Sequence, residues 1–181
     1  YRHAGDAQII AVTGSNGKTT TTLLIQHAFE RAGVDSVAAG NMGDSFAQKV
    51  ARDPHPVYVL EVSSYQLDDI RDFRPHIAIL TNITEDHLDR YEYDFRKYAA
   101  AKMRITENQT ENDHFIYSLD DATTTELLQE YDIKAKQYGF SATQQQGAVA
   151  WLENDAIHVH MNFDKTTFSI ESMTLQGRHN Y

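Results

Sequence analysis

The chain has 181 residues, 41% of them hydrophobic and 10% aromatic, which fits one folded domain with a buried core and excludes intrinsic disorder. Its formal net charge of −10 argues against non-specific binding to nucleic acid or to an anionic membrane, and no apolar run approaches the length of a membrane span. With no cysteine there is no disulfide, thiol nucleophile or zinc–thiolate site, a composition compatible with a cytoplasmic protein.

The first predicted element is a buried strand over 8–13, feeding Gly14-Ser15-Asn16-Gly17-Lys18-Thr19-Thr20 and then a helix over 17–32 that stops at Gly33. An apolar strand, a glycine turn, Gly-Lys-Thr and a helix form the layout of a phosphate-binding loop. Amides from Gly14 to Thr20 would face an anion, Lys18 adds a mobile positive charge, and the Thr19 hydroxyl can ligate Mg²⁺. The general pattern G-x-x-x-x-G-K-[ST] wants glycine where this chain has Val12, with Gly14 as the flexible point instead. An ordinary strand-to-helix turn with an exposed lysine would look the same, so the loop needs support from elsewhere in the chain.

A short strand over 36–39, the turn Gly40-Asn41-Met42-Gly43 and a helix over 44–52 come next, then apolar strands over 56–62 and 76–82. Near-continuous apolar runs separated by helical patterns predict an α/β fold of P-loop type, a mostly parallel sheet flanked by helices. Such sheets bind ligands beyond the carboxyl ends of their strands. Glu61 and Ser63 stand at one such end, and the segment from Thr81 through His87 to Asp89 follows another. Glu61 and His87 are therefore candidates to converge with Thr19 on one metal-bound phosphate; Mg²⁺ favours the carboxylate, and imidazole is a less usual ligand. A strand-end ion pair for Glu61, and a first helical turn capped by Thr84 for His87, are the plainer readings.

The segment 93–108 reads as a helix whose stripe of Phe95, Tyr98, Ala99, Ile105 and Thr106 has Lys102 in its middle. A lysine aimed inward must be paired, deprotonated or modified; the alternative is a packed stem with the amine in water. A strand over 114–118, a helix over 121–131 and a strand over 134–139 follow. From Gly147 the pattern shortens into strands 148–152, 157–161 and 166–170, predicting a small C-terminal antiparallel meander over 146–172 beside a core over 1–145. The nine histidines show no metal-ligand spacing such as H-E-x-x-H, and His158 and His160 share one strand face, expected to be the exposed one.

Taken in order, these segments resemble one family, the ATP-dependent Mur ligases of peptidoglycan synthesis. The resemblance is carried by Thr13-Gly14-Ser15-Asn16-Gly17-Lys18-Thr19-Thr20, whose family version also lacks the first glycine, by Gly40-Asn41-Met42-Gly43 and by Glu61-Val62-Ser63-Ser64-Tyr65-Gln66-Leu67. Asn82-Ile83-Thr84-Glu85-Asp86-His87-Leu88-Asp89-Arg90, Ala100-Ala101-Lys102 and Gly177-Arg178-His179-Asn180 complete it. Ser-Ser-Tyr-Gln-Leu and Gly-Arg-His-Asn point to the branch that adds D-glutamate to UDP-N-acetylmuramoyl-L-alanine.

The resemblance implies a cytoplasmic, monomeric three-domain enzyme of which this chain is the central ATP-binding domain. The domains that hold the uridine nucleotide and D-glutamate would lie outside it, and 173–181 would begin a hinge. It implies that Lys18 and the loop amides hold the β- and γ-phosphates, that Thr19 and Glu61 bind a first Mg²⁺, and that His87 and Lys102 serve a second. Lys102 would carry CO₂ as a carbamate. Asn41 and Ser63 would lie near the substrate, and Asn180 near adenine. Another amide ligase of the same superfamily, and a stand-alone P-loop nucleotide-binding module, remain the alternatives.

Overall fold

Ile9 to Val12 and Val57 to Leu60 are apolar at consecutive positions, so both faces of these strands must be covered. A computed structural model, describing residues 3–86, 88–161 and 164–172, shows how. Strands β1 (Gln8–Thr13), β2 (Ser36–Gly40), β3 (Val57–Glu61), β4 (Ile77–Leu80), β5 (His114–Ser118), β6 (Lys136–Ser141), β7 (Ala148–Glu153), β8 (Ala156–Met161) and β9 (Asp164–Ser169) form one nine-stranded sheet in the order β2-β3-β1-β4-β5-β6-β7-β8-β9. Pairing is parallel from β2 through β7 and antiparallel across β7–β8–β9.

Helix α1 (Lys18–Arg31) covers one face, laying Ile25 and Phe29 on Ile10, Val12, Val57, Val59 and Ile79. The other face carries Ile9, Ala11, Tyr58, Leu60, Ala78 and Leu80. Against it pack α2 (Phe46–Arg52), α3 (Ser64–Asp68), α4 (Phe95–Met103) and α5 (Ala122–Leu127), which contribute Phe46, Leu67, Tyr98, Met103 and Leu127. Each large apolar side chain buried here contributes about 1.5–3 kcal/mol.

The expected α/β architecture is present, with local differences that have physical causes. The helix predicted from 93 starts at Phe95, because Glu92 and Tyr93 adopt left-handed φ of 56° and 60° and the Asp94 carboxylate accepts from the amides of Arg96 and Lys97. It tightens into a 3₁₀ turn at Arg104–Thr106. Helix α3, absent from the sequence reading, is nucleated by a capping box in which Ser63 and Gln66 satisfy each other's amides. The meander continues the main sheet, since β7 pairs in parallel with β6 across a register shift at Gly139/Phe140. His158 and His160, expected on an exposed face, are half-buried against Trp151: His158 stacks on the indole at 5.4 Å and His160 meets it edge-on at 4.5 Å. The expected hinge over 173–181 lies outside the described residues.

Candidate active site

From β1 the chain passes to β2 at one edge, returns to β3 beside β1, then crosses to β4 on the opposite side of β1. That reversal of direction opens a crevice at the carboxyl end of β1, where sheets of this kind bind ligands. Val12 is fully buried within β1, opposite Glu61, so the strand runs one residue beyond where the general phosphate-loop pattern has glycine. The chain turns at Gly14, whose φ of 147° and close approach to Thr81 leave no room for a side chain; a Cβ there would lie 1.9 Å from the Thr81 hydroxyl.

The loop is fastened to the end of β4. The Ser15 amide donates to the Asn82 carbonyl at 2.9 Å, and the Asn16 amide to Asn82 Oδ1 at 3.0 Å. The hydroxyl of Thr81 and Nδ2 of Asn82 both donate to the Asn16 carbonyl, and Asn16 Nδ2 donates to the Thr84 hydroxyl. Ser15 Oγ sits between the Thr84 amide and carbonyl at 2.9 and 2.8 Å, and 2.9 Å from the Tyr98 hydroxyl. Gly17 caps α1 and has no side chain with which to occupy the first amides, so the N–H groups at Lys18, Thr19 and Thr20 and the positive end of the helix face the crevice. Lys18 Nζ donates to the Gly14 and Ser15 carbonyls at 3.0 Å each, which holds its ammonium over the loop.

Glu61, at the end of β3 and 4% exposed, receives the Thr19 hydroxyl at 2.5 Å and Asn41 Nδ2 at 2.9 Å. The Asn41 amide also donates to the Glu61 carbonyl, an approach possible because the preceding residue, Gly40, has φ 113° and lacks a Cβ that would lie 2.3 Å from that oxygen. Phosphate loop, Glu61 and the Gly40-Asn41 turn are thus one hydrogen-bonded unit. Ser63 is nearby in sequence, but its side chain is committed to the α3 cap.

Lys102 is not at the surface. It is 2% exposed, its amine donates to the Gly14 carbonyl at 2.7 Å and lies 4.6 Å from the Tyr98 ring centre. Burial, reinforced by the neighbouring Lys18 ammonium and opposed by Asp86, pushes its pKa down to about 7. Snorkelling is therefore excluded, and a neutral amine is accessible near neutral pH. Lys18, Thr19, Glu61, Asn41 and Lys102 come together around the loop, whereas His87 and Asn180 lie outside the described residues. Sequence reasoning treated Tyr98 only as a packing group; nothing in a helical stripe announces that its hydroxyl reaches Ser15.

A strand-end loop that presents helix-start amides, a lysine ammonium and a hydroxyl–carboxylate pair defines a P-loop-type nucleotide-binding α/β domain. The Mur ligase middle domain family model matches residues 12–181, and the chain belongs to that family. It is 47% identical, over 97% of its length, to UDP-N-acetylmuramoylalanine–D-glutamate ligase of Christiangramia forsetii, and spans 39% of that relative. Among solved structures, a MurF of Acinetobacter baumannii superimposes with a TM-score of 0.73 at 19% identity, over 99% of this chain and 41% of that one. The MurF ligase of Thermotoga maritima, solved with ADP, gives 0.67 at 19% identity over 92% and 41%. Among the described residues no helix is long and apolar enough to cross a membrane.

Proposed function

We propose that the protein carrying this chain is an ATP-dependent ligase that joins D-glutamate to UDP-N-acetylmuramoyl-L-alanine through an acyl phosphate, and that this chain is its ATP-binding middle domain. The observation that carries the reading is the buried Lys102 amine bonded to the Gly14 carbonyl of the phosphate loop, the same loop that leads into the Thr19–Glu61 pair. A loop that only held nucleotide would not need it. The near relatives share the D-glutamate name, and this chain spans about two fifths of their length, which leaves room for domains that would bind the uridine nucleotide and the amino acid.

In this reading the loop amides and Lys18 hold the β- and γ-phosphates of ATP. The donor set suits Mg²⁺, because Thr19 Oγ1 and the Glu61 carboxylate are hard oxygens already in contact. Among the described residues no cluster of three or more His, Asp or Glu could hold a metal alone, so Thr19 and Glu61 would hold an ion here together with phosphate and water oxygens. Mg²⁺, when bound, neutralises charge so that the γ-phosphate and the substrate carboxylate can approach each other. Asn41 orients Glu61, and its place near the acceptor belongs to the reading through the family resemblance; Ser63 caps α3. His87, Asn180 and a second ion belong to the reading through the family resemblance.

For Lys102 the reading requires a carbamate. Its neutral amine attacks the carbon of CO₂ and loses a proton, turning a buried cation into an anionic oxygen ligand. The test uses the full-length protein. Phosphate release should require ATP, UDP-N-acetylmuramoyl-L-alanine and D-glutamate together, and release driven instead by another amino acid assigns the chain to a different branch. K102A should lower turnover by about 10³-fold and remove a carbamate carbon signal seen with ¹³C-bicarbonate. Normal turnover in K102A ends the carbamate proposal.

A further inference from the structure

Asp121 opens α5, outside the crevice, and its carboxylate serves two elements at once. Oδ2 accepts from the Thr124 amide at 3.0 Å and from the Thr124 hydroxyl, which caps α5, and from the Ile83 amide at 3.1 Å. Ile83 is the buried centre of the segment that fastens the phosphate loop: Asn82 on one side and Thr84 on the other bond Ser15 and Asn16. The neighbouring Asp120 faces the other way, accepting from Ser141 Oγ at 2.7 Å, from Gln145 Nε2 at 2.9 Å and from the Ala142 amide. Consecutive carboxylates after β5 therefore tie the phosphate-loop clamp and the β6–β7 loop to one turn.

We infer that Asp121 is a positioning residue for the phosphate loop, acting through the Ile83 amide to hold Asn82 and Thr84 against Ser15 and Asn16. Without that acceptor the Ile83 N–H has no partner at a buried point of the chain, and the clamp can shift to find one. The effect on nucleotide rests on the proposed function; the effect on the loop does not. Capping α5 is the competing role, and the two separate by reach. Serine and asparagine both cap helices well, but only asparagine has the length to accept from Ile83 as well.

The experiment compares D121S and D121N in the full-length protein. It reads hydrogen exchange at the Ser15 and Asn16 amides without nucleotide, and the dissociation constant for Mg²⁺-ATP. D121S should exchange at least about tenfold faster at both amides and bind at least about tenfold more weakly, while D121N stays within about twofold of the parent. Both should melt within a few degrees of each other. If D121S does not fold, D121T offers the same cap with the same short reach. Parent-like exchange at Ser15 and Asn16 in the short variant overturns the inference. A parent protein that fails to bind Mg²⁺-ATP overturns the proposed function alone, because the exchange readout still stands.

Discussion

The two ends of the sheet are built on different terms. Around β1, β3 and β4 nearly every residue is buried, and among the polar residues buried with them Thr13, Ser15, Glu61 and Lys102 belong to or abut the phosphate loop. In the meander, β8 has no buried residue, β9 is exposed at every described position, and Trp151 of β7 is the large side chain that is buried. Rigid burial positions a site, whereas an exposed antiparallel extension needs only alternation and a single anchor. A change at the first end should therefore register in nucleotide binding, and one at the second end in stability alone.

The largest effect is expected at the loop. In G14A the new methyl meets the Thr81 hydroxyl while the backbone keeps a φ that L side chains avoid. Strain and clash together should cost about 3 kcal/mol, or roughly 100-fold in Mg²⁺-ATP affinity measured by calorimetry. Affinity equal to the parent's would mean that the Gly14–Thr81 contact does not shape the site.

W151A probes the opposite end. Trp151 is 7% exposed, with His158 and His160 packed on its ring, and its removal should cost about 3 kcal/mol in denaturant unfolding. Mg²⁺-ATP affinity should stay within about twofold. A joint loss of stability and affinity would show that the meander and the loop act as one unit.

What was legible in the sequence follows the same division. β1, β3 and β4 were readable because strands covered on both faces must be apolar at consecutive positions, and a carboxylate ending such a run, Glu61, stands out. Lys102 stood out for the same reason on a helical stripe, though spacing could not say whether its amine reached water. The clamp of Ser15 and Asn16 by residues 81–84 was not readable: it joins segments more than 60 residues apart and exists only because β4 lies beside β1. Helix α3 is too short for a hydrophobic period, and its signal, Ser63 with Gln66 three positions on, lay hidden behind the strand end. In the meander, alternation correctly grouped His158 with His160 and said nothing of the indole that covers them.

An ion pair at the far edge of the core gives an intermediate case. Arg74 donates Nε to Asp113 Oδ2 at 2.7 Å and Nη2 to Oδ1 at 3.1 Å. Burial alone would raise the Asp113 pKa, but Arg74 together with the Thr110 amide and hydroxyl outweighs it and holds the carboxyl below its ordinary value. A depressed carboxylate stabilises the fold above its unfolded pKa, near 3.9, and that contribution is lost as pH falls through the lower folded value. R74M should therefore cost about 2 kcal/mol at pH 7, less than a fully buried pair because Arg74 is partly exposed. The gap from the parent should close below pH 4, and nucleotide affinity should not change. A penalty that persists undiminished into acid would assign the cost to packing rather than charge.

The smallest effect is expected at Phe168 on β9. It is 53% exposed, and its cross-strand partner is Ile157, so the interaction at stake is one pair on a wet face. Such pairs contribute about 0.2–1 kcal/mol, and F168S should destabilise by about 0.5 kcal/mol, with no change in Mg²⁺-ATP affinity. The serine also loses some β-propensity, which acts in the same direction and is included in that figure. Edge strands tolerate this loss because their backbone bonds run to one neighbour and their side chains exclude little water. A cost above about 2 kcal/mol is the size expected for core truncation. It would mean that this face of the meander is packed as tightly as β1 and β3, and the contrast between the two ends of the sheet would no longer hold.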